Sequence, residues 1–155
     1  MADGGSHFAI LELGARECYD RIAPLLPYHY EELAKFKDIA ALKPDLERYL
    51  RFEQVGALLC LVADLDGELV GYSVNVLQTN LHYSDLGFCQ NDVLYVAPEH
   101  RRSRAYLALR RETLRRAKAR GAALMLWHAK EGTPLNEILP RQGCVVLDVI
   151  WAERL

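Results

Sequence analysis

The 155 residues carry 19 Lys/Arg against 21 Asp/Glu, a net charge of −2, with 51% apolar and 26% charged residues. That balance excludes a disordered chain, and no apolar run approaches the roughly 20 residues that span a bilayer. The length suits one domain with a sizeable core, so residues 1–155 read as a single domain. The opening MADGGSHFAILEL lacks the cationic head and long apolar stretch of a signal peptide. Cys18, Cys60, Cys89 and Cys144 are far apart with no C-x-x-C pair. They predict four reduced thiols, no metal site and a cytoplasmic location.

In chain order, His7 to Leu13 alternates as a first strand, and Ala15 to Leu26 has Ile22, Leu25 and Leu26 on one helical side. Pro27 to Lys37, rich in Tyr and Glu, continues as helix or lid. Asp45 to Gln54 is a helix with Leu46, Tyr49 and Leu50 on one face. Ala57 to Ala63 is an apolar strand, and Asp66-Gly67 is a strong hairpin signal. Glu68 to Leu77 alternates as the return strand, and a connection follows around Asn80–Ser84. Leu86 to Val96 is the next strand, stopped by Pro98. Ser103 to Arg120 is a basic helix closed by Gly121. Ala122 to His128 reads as a strand, Thr133 to Arg141 as a short helix, and Cys144 to Ala152 as a final strand. The order is β-α-α-β-β-β-α-β-α-β. It predicts an α/β (α+β) architecture, a mixed, twisted sheet of six or seven strands with helices on both faces.

The small net charge hides a strong partition. Residues 1–100 hold 7 Lys/Arg against 16 Asp/Glu, whereas residues 101–120 hold 9 against the single Glu112. A helix N-terminus presents unpaired N–H groups and a partial positive charge. Here Arg101, Arg102 and Arg104 crowd that end, which points to an anionic ligand. The farther cations (Arg110, Arg111, Arg115, Arg116, Arg120) read as a mostly solvated face. Nucleic acid is the competing partner. The acidic remainder would repel a duplex, and no zinc-knuckle, homeodomain-like or ribonucleoprotein motif is present.

Asp92 interrupts an apolar strand, either as a solvent-facing residue or as a base in a cleft. His128 ends its strand, at the edge where ligands gather in open α/β sheets, and an imidazole there can accept a proton near neutral pH. An ordinary surface or core histidine is the alternative. His82 and Tyr83 lie in the connection before the Asp92 strand, as acceptor-side residues or as a plain turn tip. Tyr28, His29, Tyr30, Glu31 and Glu32 form an aromatic and acidic cluster, a solvated helix face or a binding surface for a cationic amine.

The element order resembles the GNAT superfamily of N-acetyltransferases, most nearly its small, phage-like members. The resemblance rests on Asp66-Gly67-Glu68-Leu69-Val70-Gly71, on Leu94-Tyr95-Val96 with Pro98 and Arg101, and on Asn136 and Gly143. It implies acetyl-CoA as co-substrate, with pantetheine against Leu94, Tyr95 and Val96 and pyrophosphate on Arg101, Arg102, Ser103, Arg104, Ala105 and Tyr106. Asn136 would join that set. It further implies Asp92 and His128 as proton acceptors, and Tyr30, Glu31, His82 and Tyr83 beside a small-molecule or protein amine. Arg104 and Tyr106 stand where the family loop has small residues, and Leu139 stands where it often has a tyrosine acid. The implied reaction is direct acetyl transfer to an amine. A GNAT-fold CoA-binding module without full catalysis and a nucleic-acid adaptor using helix 103–120 remain alternatives. A homodimer is also left open.

Overall fold

The computed structural model describes residues 7–155. Residues 1–6, which begin the stretch read above as free of a signal peptide, lie outside the described residues. Five strands form one sheet in the order β1-β2-β3-β4-β5: β1 Phe8–Leu13, β2 Leu58–Leu65, β3 Glu68–Thr79, β4 Gly87–Val96 and β5 Leu124–Leu126. The helices are α1 Ala15–Ile22, α2 Leu26–Leu33, α3 Leu46–Gln54, α4 Ala105–Ala119 and α5 Pro134–Arg141. The first four strands are antiparallel neighbours, and β5 pairs with β4 in parallel after the α4 crossover.

β2 explains the two-faced core. Its LLCLVADL run is apolar at both side-chain parities because both faces of the sheet are covered. Leu58, Cys60 and Val62 pack with Ala15, Cys18 and Ile22 of α1, whereas Leu59, Leu61 and Ala63 pack with Ala105, Leu109 and Ala117 of α4. The buried positions of α4 are mostly small (Ala105, Ala108, Thr113, Ala117) and recur about every four residues. That stripe lets the helix lie close on the sheet.

Local chemistry fixes the ends. Asp66 and Gly67 both have positive φ, 54° and 88°, which suits a two-residue turn matched to strand twist. The Asp64 side chain accepts a bond from the Gly67 N–H at 2.9 Å. Asp45 caps α3 by accepting from the Arg48 N–H at 3.0 Å. Gly121, with φ 89°, ends α4.

Three expectations need correction. The sheet has five strands among the described residues, not six or seven. The strand expected over Ala122–His128 pairs only at Leu124–Leu126. The final strand expected over Cys144–Ala152 does not form, although Val145, Val146, Ile150 and Trp151 are exposed and strand-like in composition. A strand exists only with a ladder partner, and this segment has none. Its end is held elsewhere, by a bidentate Arg154–Asp38 pair at 2.7 and 2.9 Å on the loop after α2.

The β3–β4 register slips between Val74↔Val93 and Asn75↔Asn91, leaving Asp92 as the extra residue of a β-bulge. The slip changes which residues face each helix layer. Cys89 packs on the α4 side before the bulge, while Val93 and Tyr95 pack on the α1 side after it. Beyond Gln90, β4 has no partner on the β5 side. β5 ends at Leu126, so β4 runs on from Asn91 to Val96 with an open edge.

Gly71, within the hairpin motif, is a tight point. A Cβ there would lie 2.8 Å from the Tyr95 carbonyl oxygen and 3.1 Å from Val96 Cγ2. Gly71→Ala is expected to cost about 1–3 kcal/mol, the usual range for overpacking, read as a lower urea midpoint.

Candidate functional site

Beside the open edge of β4 lies a cavity of about 550 Å³, walled by α1, α2, the 34–44 loop, the second half of β4, the 128–134 loop and α5. Of the residues singled out from sequence, Asp92, Leu94, Tyr95, Val96, Arg101, Tyr106, His128, His29, Tyr30 and Glu32 line it. Arg102, Ser103, Arg104, Ala105, Asn136, Glu31, His82 and Tyr83 do not.

The structure gives local reasons for those placements. Glu31 points to solvent and pairs with Lys37 at 2.7 Å. His82 and Tyr83 sit at the tip of the β3–β4 connection, where the Asn80 side chain accepts both backbone N–H groups at 2.8 and 3.1 Å. The Arg104 guanidinium lies 4.5 Å from the Phe8 ring centroid, on the far side of the sheet edge. Ser103 Oγ accepts from the Ala105 N–H at 3.1 Å. Arg104, at the N-cap position of α4, makes no side-chain capping bond. Asn136 lies in the first turn of α5, where its N–H meets the capping Thr133.

Arg101 is a brace. Its Nε donates to the Val96 carbonyl at 3.0 Å, its NH2 group reaches Glu32 at 2.6 Å, and its guanidinium carbon lies 5.6 Å from the centroid of the Tyr95 ring. Through it α2 is tied to the end of β4. The rest of the basic helix also turns inward more than its sequence implied. Arg116 and Arg120 bond Glu12 of β1, Arg120 also bonds the Leu58 carbonyl at 2.6 Å, and Arg115 bonds Glu112. Much of the charge that sequence alone would offer to an external polyanion is thus neutralised within the chain.

An aromatic group floors the cavity. The His29 ring stacks on Tyr95 with centroids 4.7 Å apart and an interplanar angle of 18°. His29 Nδ1 shares a 2.7 Å hydrogen bond with the fully buried Tyr72 hydroxyl. Burial, the largest influence, lowers the His29 pKa to about 4, so the ring is neutral at physiological pH. Burial likewise pushes the Tyr72 and Tyr106 phenols up, which keeps their protons on. Tyr106 donates to Gln142 at 2.8 Å. Tyr49 of α3 donates to the Asp92 carboxylate at the rim.

Tyr49 and Tyr72 are the residues that sequence reasoning passed over, and His29 was named there only within the aromatic and acidic cluster of residues 28–32. Tyr49 counted only as a helix-face position and Tyr72 only as part of a Val-rich strand. A phenol on an apolar face needs a partner for its hydroxyl, and that was the available signal. Among the described residues no cluster of His, Cys, Asp and Glu could hold a metal, and no helix is long and apolar enough to cross a membrane.

Comparison of the sequence with protein-family models finds no match, and no curated protein matches it. Solved structures do. The chain is similar to an aminoglycoside acetyltransferase from an uncultured soil metagenomic sample, with TM-score 0.75 and 18% identity over 96% of this chain and 99% of that one. It is similar to ribosomal-protein-alanine N-acetyltransferase from Brucella melitensis biovar Abortus 2308, with TM-score 0.66 and 23% identity over 96% and 97%. A third is AAC(6')-Iy in complex with the bisubstrate analog CoA-S-monomethyl-acetylneamine, with TM-score 0.67 and 16% identity over 96% and 98%. The fold is that of the GNAT acetyltransferases.

The buried His29 yields a pH prediction. Its folded pKa of about 4 lies below the ordinary 6.5, so between these values the unfolded chain binds more protons. The stability associated with a neutral His29 is complete above about pH 6.5 and is lost as pH falls towards 4. His29→Gln should flatten the pH dependence of the denaturation midpoint across that window, relative to the parent chain.

Proposed function

We propose that this chain is an N-acetyltransferase, a single domain that moves the acetyl group of acetyl-CoA directly to an amine. The observation that carries the reading is the unpaired edge of β4 beyond Gln90, where β5 has ended. It leaves the backbone of Leu94, Tyr95 and Val96 without a strand partner on the cavity side, with the Val96 carbonyl held by Arg101, and it leads to the N-terminus of α4, where the N-cap Arg104 makes no side-chain capping bond. An extended amide-bearing arm suits such an edge, because it can bond the backbone as an added strand would. A pyrophosphate suits the helix end, where Arg102 adds an exposed cation. The neighbours crystallised with CoA or a CoA-linked analog have this same fold and support the assignment.

Each residue then has a part. Asp92, projecting from the bulge, draws the substrate ammonium in and takes its first proton, with Tyr49 holding the carboxylate in place. His128, exposed in the segment after β5, is the second candidate acceptor. The amine lone pair attacks the thioester carbonyl carbon, and a C–N bond forms. The C–S bond then breaks, the second amine proton passes to water, and the thiolate takes up a proton whose donor is restored from solvent. Tyr106 supplies that proton in place of a phenol at Leu139, since its raised pKa keeps it protonated near neutral pH. Holding amine and thioester together accounts for most of the acceleration.

Calorimetry should give a micromolar dissociation constant for acetyl-CoA, about −8 kcal/mol, and thiol release should depend on an added amine. Failure to bind acetyl-CoA overturns the reading. Asp92→Asn should lower kcat by roughly 10²-fold, in the range of general base catalysis, with acetyl-CoA affinity nearly intact. Tyr106→Phe should cost far less, because a thiolate leaves readily even without an acid, its pKa being near 8.5 in a cysteine analogue.

A further inference from the structure

The wall of the cavity says what kind of amine it takes, an inference that rests on the acetyl-transfer reading. Two carboxylates, Glu32 and Asp92, face three permanent cations, Lys43, Arg101 and Lys130. Glu32 is already committed to Arg101 at 2.6 Å. Asp92 is therefore the one carboxylate in the wall without a cationic partner. Neither Lys43 nor Lys130 pairs with a carboxylate among the described residues. His29 is neutral near pH 7 and adds no charge.

The remaining surface on the α1–α2 side is apolar and aromatic. Ile22, Leu26, Tyr30, Leu33, Leu42 and Pro44 make up much of it. Leu42 keeps 42% of its surface exposed at the mouth, where burial by a ligand would remove apolar area from water. A site for a polycation needs several carboxylates spaced to meet several ammonium groups. This wall offers one, with two unpaired lysines to repel the surplus charge.

We propose that the acceptor is a primary monoamine with an apolar aromatic or alkyl body, its ammonium at Asp92 and its body against the α1, α2 and 34–44 wall. A polycationic amine such as those named for several structural neighbours is excluded on charge. The one-carboxylate site also predicts weak salt dependence of acceptor affinity, because a single ion pair is involved.

The test uses the whole chain saturated with CoA, with phenethylamine and hexylamine set against kanamycin and spermidine. Binding is read by calorimetry, and turnover is read separately with acetyl-CoA. Phenethylamine should bind more tightly than kanamycin and exceed it at least ten-fold in kcat/KM. Lys43→Glu, an exposed loop substitution, should narrow that gap several-fold by adding a second carboxylate. A kanamycin or spermidine preference in binding or turnover overturns the acceptor class. So does no detectable phenethylamine binding at millimolar concentration, or a gap that Lys43→Glu leaves unmoved. Tighter phenethylamine binding with no acetyl transfer to any amine upholds the acceptor class and overturns the transfer reading alone.

Discussion

A buried chain of polar side chains beneath the β4 bulge sets the geometry of everything above it. Ser73, Asn75, Asn91 and Thr113 are at most 1% exposed, in an otherwise apolar layer between the sheet and α4. Uncompensated, such groups would cost several kcal/mol of burial. They instead bond one another and the backbone, with Asn91 Oδ1 alone among these four side chains left without a partner. Asn75 Nδ2 donates to the Leu59 carbonyl at 3.2 Å, Asn91 Nδ2 donates to Asn75 Oδ1 at 3.1 Å, and Thr113 links to Ser73 at 3.4 Å. Asn91 Nδ2 also donates to the Val93 carbonyl at 2.9 Å, spanning the extra residue Asp92. Polar groups with so few alternative partners fix a register that apolar packing alone would leave open. The bulge is held at one position, and the carboxylate, the cavity edge and the change of side-chain parity follow from it.

Charge is used mainly for internal bracing. The acidic first part of the chain folds back on the basic helix through Glu12 with Arg116 and Arg120, and Glu32 closes on Arg101. Such part-exposed pairs contribute modestly to stability. Their larger effect is to use up charge that would otherwise attract external polyanions, leaving the N-terminal end of α4 as the electropositive feature beside the cavity.

Much of the charge around the cavity is quenched. His29 is neutral, the Tyr72 and Tyr106 phenols keep their protons, and Glu32 is matched by Arg101, which leaves Asp92, Lys43 and Lys130 as the wall's charges without a salt-bridge partner among the described residues. A reaction run there depends on positioning, a polarising backbone and one carboxylate more than on a strong field. That suits attack on a thioester, an activated acyl donor with a good leaving group, and it leaves acceptor selection to the apolar wall together with the single free carboxylate.

Local signals settled much of the architecture from sequence. The Asp66-Gly67 turn, the apolar β2 run, the Asp45 cap and the basic helix ended by Gly121 each depend on residues within a few positions of one another. Their physics is contained in the sequence window. The same holds for the Leu94–Val96 strand leading through Pro98 to Arg101, which carried the family resemblance and placed most of β4's contribution to the cavity. What escaped was non-local. The strand-like Cys144–Ala152 segment has the composition of a strand but no partner, and pairing depends on distant chain. The count of cations in 101–120 did not reveal that Glu12, about a hundred residues away, would claim two of them. Nor could spacing show that Tyr72 and His29, 43 positions apart, would meet beside Tyr95. The sequence by itself determined the elements and the strand–turn–helix unit, because those follow from local propensity and turn chemistry. Only the tertiary structure decided the bulge at Asp92, the neutrality of His29 and the single unmatched carboxylate of the cavity, because each arises from burial and from groups brought together by long-range packing.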